Sequence, residues 1–273
     1  MTAADSEAMT RQAPDGTAYE LAGPEGAPLV VLIHGLGLNR DLWSSHLPEL
    51  AQSFRVLTYD LVGHADGPPL CHPLSLISFS EQLVGLLDHL GEAEASLVGF
   101  SLGGMINRRV ALDHPERVAA LVILNSPHER DPEAQRIVEE RATQSIADGP
   151  GANLDETLER WFTPEFRAAN PDAIKAIRAR ILANDPESYG RCREVLAGGV
   201  KELIRPQPPV AKPALVMTCE LDSGSTPAMS EAIASEIPGA ELVIVPGLRH
   251  MGLAEQPRRF TDPIRGFLER TLR

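Results

Sequence analysis

The fold of this 273-residue chain is decided by one stretch, Ser96-Leu97-Val98-Gly99-Phe100-Ser101-Leu102-Gly103-Gly104. The apolar run at 96–99 is typical of a buried strand, and a helical pattern begins at Leu102. A serine with a glycine two residues away on each side fits a tight strand-to-helix turn, where larger side chains would clash. The first amides of the helix then point at the serine. This context predicts that Ser101 is a nucleophile, with an inert serine in a Gly-rich loop as the alternative.

Short apolar runs recur on both sides of this turn and alternate with longer helix-like segments. The alternation predicts an α/β fold, with a mainly parallel sheet and helices packed against it. Helices are expected at 80–90, where leucines recur at helical spacing, and at 102–114. The predicted strands are Leu29–Ile33, Arg55–Tyr59, 96–99, Val118–Leu124, 214–218 and Glu241–Val245, with an antiparallel edge strand at 16–21.

The strand pattern is interrupted between residues 124 and 214. Isoleucines at positions 174, 177 and 181 recur at helical spacing there, which predicts an amphipathic helix. Three prolines at 205–209 close the interval as a stiff extended hinge. We therefore expect one domain with an insertion. Its predicted parts are an α/β core at 16–127 and 212–273, a helical cap at 128–211 and a flexible N-terminal segment at 1–15.

Composition and charge exclude several classes of protein. Hydrophobic residues make up 43% of the chain and charged residues 23%, which is typical of a globular protein and not of a fibrous or disordered one. The 38 acidic and 25 basic residues give a net charge of -13, so nucleic acid and anionic membrane surfaces are not expected partners. No apolar run approaches the ~20 residues of a transmembrane helix. The first residues lack the pattern of a secretory signal, so a cytoplasmic location is expected.

Cofactor and metal motifs are not found in the sequence. The chain has an odd number of cysteines, and none of them has C-x-x-C spacing: Cys71, Cys192 and Cys219. This pattern favours a reducing compartment over a disulfide framework or a zinc site. The dinucleotide fingerprint, the P-loop and the H-E-x-x-H motif are absent from the sequence. We therefore expect no cofactor and no metal. The sequence leaves open whether the chain forms a homo-oligomer.

A serine hydroxyl needs a base and an orienting acid to act as a nucleophile. Asp222 and His250 each follow one of the last two predicted strands. Because the carboxyl ends of parallel strands form one edge of the sheet, Ser101, Asp222 and His250 are expected to meet there. Glu220 is an alternative acid, but it lies closer to its strand than Asp222 does. No carboxylate stands at 125–127, after the preceding strand.

The loop His34-Gly35-Leu36-Gly37 follows the first central strand and supplies backbone amides. A tetrahedral oxyanion is stabilised by two donors, and we expect them to be the N–H groups of Leu36 and Leu102. The glycines let this loop turn tightly. The imidazole of His34 is expected to have a structural role.

Together these motifs resemble those of α/β-hydrolases close to 3-oxoadipate enol-lactonases and related carboxylesterases. The resemblance implies an α/β-hydrolase fold with an eight-stranded sheet, a helical cap and no metal. It also implies that Ser101, Asp222 and His250 are nucleophile, acid and base, and that Leu36 and Leu102 are the oxyanion donors. The motifs that carry it are His34-Gly35-Leu36-Gly37, Asp60 with Gly63-His64, Gly99-Phe100-Ser101-Leu102-Gly103-Gly104-Met105, Asp222-Ser223-Gly224-Ser225-Thr226-Pro227, and His250 before Glu255-Gln256-Pro257.

Three large side chains are candidates for the wall of the pocket. Trp43 and Trp161 could line an acyl pocket, with core packing as the alternative for either one. Met251 stands beside the predicted base, where the resembling proteins more often have a small residue, and would narrow the pocket.

These features predict a serine hydrolase that cleaves a small carboxylic ester or lactone, as an enol-lactonase does, through an acyl-enzyme. Two alternatives remain open. One is C–C bond hydrolysis or cofactor-free perhydrolysis at the same site, and the other is a ligand-binding receptor with little turnover. Nearly half of the basic residues fall within 128–211, where one of them could hold an anionic substrate or simply lie on a solvated helix face.

Overall fold

Eight strands form one sheet in the part of the chain described by the structure, a computed structural model that covers residues 10–70 and 73–272. The strands are β1 (Arg11–Gln12), β2 (Ala18–Ala22), β3 (Leu29–Ile33), β4 (Arg55–Tyr59), β5 (Ala95–Phe100), β6 (Val118–Leu124), β7 (Ala214–Cys219) and β8 (Glu241–Val245). Their order across the sheet is β1-β2-β4-β3-β5-β6-β7-β8. The β1–β2 and β2–β4 pairs are antiparallel, and the other five pairs are parallel.

The central strands are buried on both faces, as a parallel sheet covered by helices requires. Every residue of β3 and β5 is buried, whereas β8 at the edge has two exposed residues. The six predicted central strands and the predicted edge strand are confirmed, with ends that differ by one or two residues. The sequence did not predict β1, because two residues carry too little pattern; this strand lies within the segment predicted to be flexible. Residues 1–9 of that segment, and Cys71, lie outside the described residues.

Eleven α-helices and three short 3-10 helices connect these strands in the described ranges. Several of them pack directly against the sheet, including α3 against β5 and β6 and α9 against β7. The α-helices are α1 (Leu47–Leu50), α2 (Leu76–Leu90), α3 (Leu102–Asp113), α4 (Pro132–Asp148), α5 (Leu154–Trp161), α6 (Pro164–Ala169), α7 (Pro171–Leu182), α8 (Pro186–Gly198), α9 (Pro227–Glu236), α10 (Gly252–Glu255) and α11 (Arg258–Thr271); the 3-10 helices are Arg40–Trp43, Pro115–Arg117 and Gly199–Leu203. None of the described helices combines the length and the apolar character needed to cross a membrane.

Capping and amphipathic patterns explain where the helices of the core begin and end. Ser75 and Ser78 form a capping box at the start of α2, and Gly91 ends this helix in the left-handed conformation. The predicted start at residue 80 was late by one turn because this box was not recognised. In α11, Phe260, Ile264 and Phe267 recur at helical spacing and are buried.

The interval between β6 and β7 is helical, as the interrupted strand pattern predicts. It contains α4 to α8, and α4 and α8 form its closest helix pair. Gly190 makes this approach possible, because a Cβ there would lie 2.7 Å from the side chain of Ile146. The division of the chain into a core and a separate cap remains a prediction.

The crossing of β5 and α3 leaves no space for side chains at two glycines. A Cβ on Gly99 would lie 2.1 Å from the carbonyl oxygen of Gly103, and a Cβ on Gly103 would lie 2.3 Å from that of Ile33. These are backbone atoms, which cannot move away as a flexible side chain can. The turn at Ser101 therefore depends on these glycines.

We predict that Gly99→Ala lowers the free energy of unfolding by about 1–3 kcal/mol or more, because the crossing must open to admit a methyl group. Gly85→Ala is the matched control: Gly85 lies in α2, a Cβ there meets no atom within 4 Å, and alanine favours a helix by about 1 kcal/mol. Urea denaturation followed by circular dichroism measures both. Equal stability of Gly99→Ala and the unmodified protein would contradict the tight crossing.

Candidate active site

Ser101 lies between β5 and α3 in a backbone conformation that non-glycine residues rarely adopt. Its φ and ψ are 56° and -111°, and it is the N-cap residue of α3. Its N–H donates to the carbonyl of Leu124 at 2.8 Å, and its own carbonyl accepts from Gly104 at 3.0 Å. The turn is therefore fixed to both neighbouring elements. The predicted strand-to-helix context of Ser101 is present in the structure.

Asp222 and His250 lie in the loops after β7 and β8 and form a direct hydrogen bond. His250 Nδ1 is 2.6 Å from Asp222 Oδ2. The same carboxylate oxygen accepts from Asn125 Nδ2 at 2.8 Å, and Oδ1 accepts from the N–H groups of Gly224 and Ser225 at 2.9 Å each. Asp222 thus has four donors although it is only 3% exposed. This network orients the carboxylate toward the imidazole.

The charge state of Asp222 follows from two opposing effects. Burial raises its pKa, but the charge of His250 and the hydrogen bonds from His250, Asn125 and Ser225 outweigh burial, so the pKa lies below its usual value. Asp222 is therefore an ionised acceptor at neutral pH. His250 Nδ1 must then donate, which leaves Nε2 on the opposite side of the ring with a free lone pair whenever the imidazole is neutral.

The alternative acid, Glu220, is used elsewhere. Its carboxylate accepts from the N–H of Gly247 at 2.9 Å and the residue is exposed. The structure thus brings Asp222, and not Glu220, against His250.

A cavity of about 1190 Å³ lies above these residues. Ser101, Asp222, His250, Leu36 and Trp161 all line it. The structure therefore brings the three predicted catalytic side chains and the predicted oxyanion loop to one place.

Two aromatic rings fix the imidazole within the cavity. The ring centroids of Phe100 and Trp161 lie 4.9 Å and 5.7 Å from that of His250. Phe100 directly precedes Ser101, so the imidazole packs beside the turn that carries the serine. Trp161 comes from α5 and is held there because its carbonyl accepts from the N–H of Met251 at 2.8 Å.

The loop that carries Leu36 is held from below by His34. The N–H of Leu61 donates to His34 Nε2 at 3.0 Å, so the ring proton is on Nδ1, which donates to the carbonyl of Gly35 at 2.8 Å. Burial lowers the pKa of His34 to about 4, so the ring is neutral at pH 7. The expected structural role of this imidazole fits these contacts. A Cβ on Gly35 would lie 3.2 Å from Ser101 Cβ, which places the loop directly beside the serine.

Two of the pocket candidates have other positions. Trp43 is 1% exposed and packs edge-on against His46, and Met251 is fully buried. Neither is among the residues that line the cavity. Both side chains are buried outside the lining of this cavity, and their contribution to a substrate pocket stays a prediction. Trp161 does line the cavity.

Sequence reasoning missed Asn125 and Tyr189. Asn125 follows β6 with a φ of 45°, and its amide donates to Asp222 and, at 3.3 Å, to Thr218 Oγ1. Its place directly after a strand is a usable signal for a polar residue at the carboxyl edge of the sheet, although an amide there is not itself a candidate acid. Tyr189 of α8 lines the cavity, and a Cβ on Gly37 would lie 2.9 Å from its ring. No local pattern links these two positions, which are far apart in the sequence.

Metal ligation is not supported by the side chains that the structure describes. Within residues 10–70 and 73–272, no group of three or more His, Cys, Asp or Glu side chains is arranged to hold a metal ion.

Comparison with known proteins identifies the family to which this architecture belongs. Residues 28–257 match a protein family whose description is α/β-hydrolase fold. The chain belongs to the α/β-hydrolase fold family. It is 25% identical over 258 residues to 3-oxoadipate enol-lactonase 2 of Acinetobacter baylyi, covering 92% of each protein.

Solved α/β-hydrolases have the same fold over nearly the whole chain. The enol-lactonase from Burkholderia xenovorans LB400 is 28% identical, with a TM-score of 0.84 over 93% of this chain and 96% of that one. A thermophilic esterase from Thermogutta terrifontis, solved with malate bound, is 28% identical, with a TM-score of 0.83 over 93% of each chain. The family and these relatives support an enzyme of the hydrolase class that acts on ester-like bonds.

The network around Asp222 predicts a pH-dependent contribution to stability. Because the pKa of Asp222 is lower in the folded protein, its contribution is complete above the ordinary value of about 3.9 and is lost as pH falls through the lowered value. We expect Asp222→Asn to be less stable by about 1–3 kcal/mol at pH 7, because its amide cannot accept from all four donors. The difference should shrink below about pH 4.

Urea denaturation of both proteins from pH 7 to pH 3 measures this difference. Asp262→Asn, at an exposed position of α11, is the control for loss of one charge. A difference between Asp222→Asn and the unmodified protein that stays constant down to pH 3 would contradict an ionised, network-bound Asp222.

Proposed function

We propose that this α/β-hydrolase cleaves a small carboxylic ester or lactone through an acyl-enzyme formed on Ser101. The observation that carries the proposal is the 2.6 Å hydrogen bond between Asp222 Oδ2 and His250 Nδ1, in a cavity that Ser101 also lines. A serine on a strained strand-to-helix turn, a histidine and a buried carboxylate are the parts that nucleophilic acyl transfer requires.

His250 is the proposed general base. Asp222 holds the proton on Nδ1, so Nε2 is free to take the proton of the Ser101 hydroxyl as the hydroxyl attacks the carbonyl carbon of the substrate. The resulting imidazolium is stabilised by the ionised carboxylate. It then gives its proton to the leaving alkoxide, and the C–O bond breaks.

The N–H groups of Leu36 and Leu102 are the proposed donors to the oxyanion. Leu102 is the first residue of α3, so its amide is one of those left without a partner inside the helix. Leu36 lies in the loop that His34 and Gly35 hold against Ser101. Donors fixed before the reaction stabilise the tetrahedral intermediate without reorganisation.

Water completes the cycle. His250 takes a proton from a water molecule, the hydroxide attacks the acyl carbonyl, and the ester bond to Ser101 breaks as the serine recovers its proton. The relatives named enol-lactonase support a lactone as one substrate form, in which the leaving alkoxide stays attached to the acyl group.

We predict that Ser101→Ala reduces kcat for 4-nitrophenyl acetate by about 10⁴-fold or more, and that Asp222→Asn reduces it by about 10³–10⁴-fold. Stopped-flow absorbance at the 4-nitrophenolate maximum measures the acyl-enzyme burst and the steady state together. Ser45→Ala, at an exposed serine, is the control and should keep the full rate.

Other outcomes favour the alternatives. Labelling of Ser101 by a fluorophosphonate without turnover of any ester or lactone would favour a receptor. A dienoate presents a C–C bond for cleavage in place of an ester bond. A kcat/KM for dienoates that is higher than that for every ester tested would favour a C–C bond hydrolase. Ester turnover that survives in Ser101→Ala would contradict the acyl-enzyme.

A further inference from the structure

Three arginines from different helices line the cavity that Ser101 also lines. They are Arg141 of α4, Arg160 of α5 and Arg193 of α8, and we call them the arginine cluster. Arg193 Nη1 donates to Ser145 Oγ at 2.8 Å, and Arg160 Nη2 donates to Thr157 Oγ1 at 3.4 Å. Among residues 10–70 and 73–272, no carboxylate forms an ion pair with any member of the cluster.

The packing of α4 on α8 brings two of these arginines together. The helices cross closely at Gly190 and Ile146, which places Arg193 next to Ser145. Arg141 precedes Ser145 by four residues and therefore lies on the same face of α4. Arg193 thus reaches the turn of α4 from which Arg141 projects.

The acidic side chains of the cavity do not neutralise the cluster. Each of the four has a partner elsewhere: Glu129 pairs with Arg205, Asp131 caps α4, Glu236 pairs with His128, and Asp222 accepts from His250. In the described residues the cluster therefore has no carboxylate within ion-pair distance, although the charges of Asp222 and Glu156 act favourably on Arg160 from further away.

The charges of Arg193 and Arg141 act unfavourably on Arg160. Desolvation lowers the pKa of Arg160, and the charges of Arg193 and Arg141 lower it further, while those of Asp222 and Glu156 act in the opposite direction; the pKa lies below its usual value. An arrangement that carries such a cost in a cavity is typical of a binding site, because a bound anion removes the repulsion.

The cluster is connected to the reaction centre on two sides. Arg160 directly precedes Trp161, whose ring centroid lies 5.7 Å from that of His250. Tyr189, four residues before Arg193 on α8, has its ring against Gly37 of the loop that carries Leu36. The cluster and Ser101 also line the same cavity of about 1190 Å³, so a substrate bound there has both within one enclosure.

We propose that the arginine cluster binds an ionised carboxylate of the substrate, so that the preferred substrates are esters or lactones with a second, free carboxylate. Planar guanidinium groups match the two oxygens of a carboxylate and form charge-assisted hydrogen bonds with them. The inference rests on the proposed function and adds the substrate class to it. An acidic protein needs such a local positive field to attract an anionic substrate.

A pair of chromogenic esters tests the proposal. Mono-4-nitrophenyl glutarate carries a free carboxylate, and its methyl 4-nitrophenyl diester is the neutral match; both release 4-nitrophenolate. We expect kcat/KM to be at least tenfold higher for the anionic ester. The anionic preference is defined as kcat/KM for the anionic ester divided by kcat/KM for the neutral ester. Arg141→Gln, Arg160→Gln and Arg193→Gln should each reduce this ratio by about fivefold or more. Added salt should also reduce it in the unmodified protein.

Two arginines on the same helices are matched controls. Arg136 of α4 pairs with Glu133 and Glu140, and Arg191 of α8 pairs with Glu194. Arg136→Gln and Arg191→Gln change the net charge equally and should leave the ratio unchanged. A ratio near one in the unmodified protein, or an equal loss in these controls, would overturn the proposal.

Binding to Ser101→Ala separates this inference from the proposed function. Calorimetric titration of Ser101→Ala with glutarate should show one binding site per chain. The double variant with Ser101→Ala and Arg193→Gln should bind glutarate at least fivefold more weakly. Inorganic phosphate that binds more tightly than glutarate would overturn the assignment to carboxylates. If no ester is cleaved but glutarate binds through the cluster, the proposed function fails while the anion site stands.

Discussion

The close crossing of β5 and α3 is the constraint on which the rest of the site depends. Gly99 and Gly103 let the two backbones approach until no Cβ fits between them, so the chain must turn at Ser101 with a positive φ. That turn is fixed by hydrogen bonds to Leu124 and Gly104. A strained backbone conformation of this kind persists only where the surrounding structure holds it in place. Here the buried strands on either side of β5 do so.

A second constraint is electrostatic and links three strands. Asp222 after β7 is buried, and an ion without partners in such a place would be strongly destabilising. Donors from the loops after β6 and β8, and from its own loop, satisfy all of its lone pairs. The position of the imidazole beside Ser101 is therefore a consequence of how the carboxylate is solvated by the protein. Any shift of one strand end would leave a buried charge with an unmade hydrogen bond.

The elements, and the positions of Ser101, Asp222 and His250 at one edge of the sheet, could be predicted because their signals are local. An apolar run predicts a buried strand, and a polar residue just past it predicts a position at the carboxyl edge, as it did for Asp222 and His250. The direction of a side chain cannot be predicted in the same way. Trp43 and Trp161 are the same residue type, yet of the two only Trp161 lines the cavity. Asn125 and Tyr189 act through contacts with residues distant in the sequence, which no single-sequence pattern reports.

The parts of the site differ in origin, and this difference has a physical reason. Groups proposed to act on the reacting bond come from loops at the edge of a rigid, fully buried sheet, where angstrom-level placement is maintained. The arginine cluster comes from α4, α5 and α8, of which α4 and α8 pack on each other and α5 packs on α7. Charges of the same sign would destabilise the tightly packed sheet, whereas helices that line a cavity can carry them at lower cost. Selection of the substrate by charge is therefore possible here without disturbing the geometry of the proposed acyl transfer.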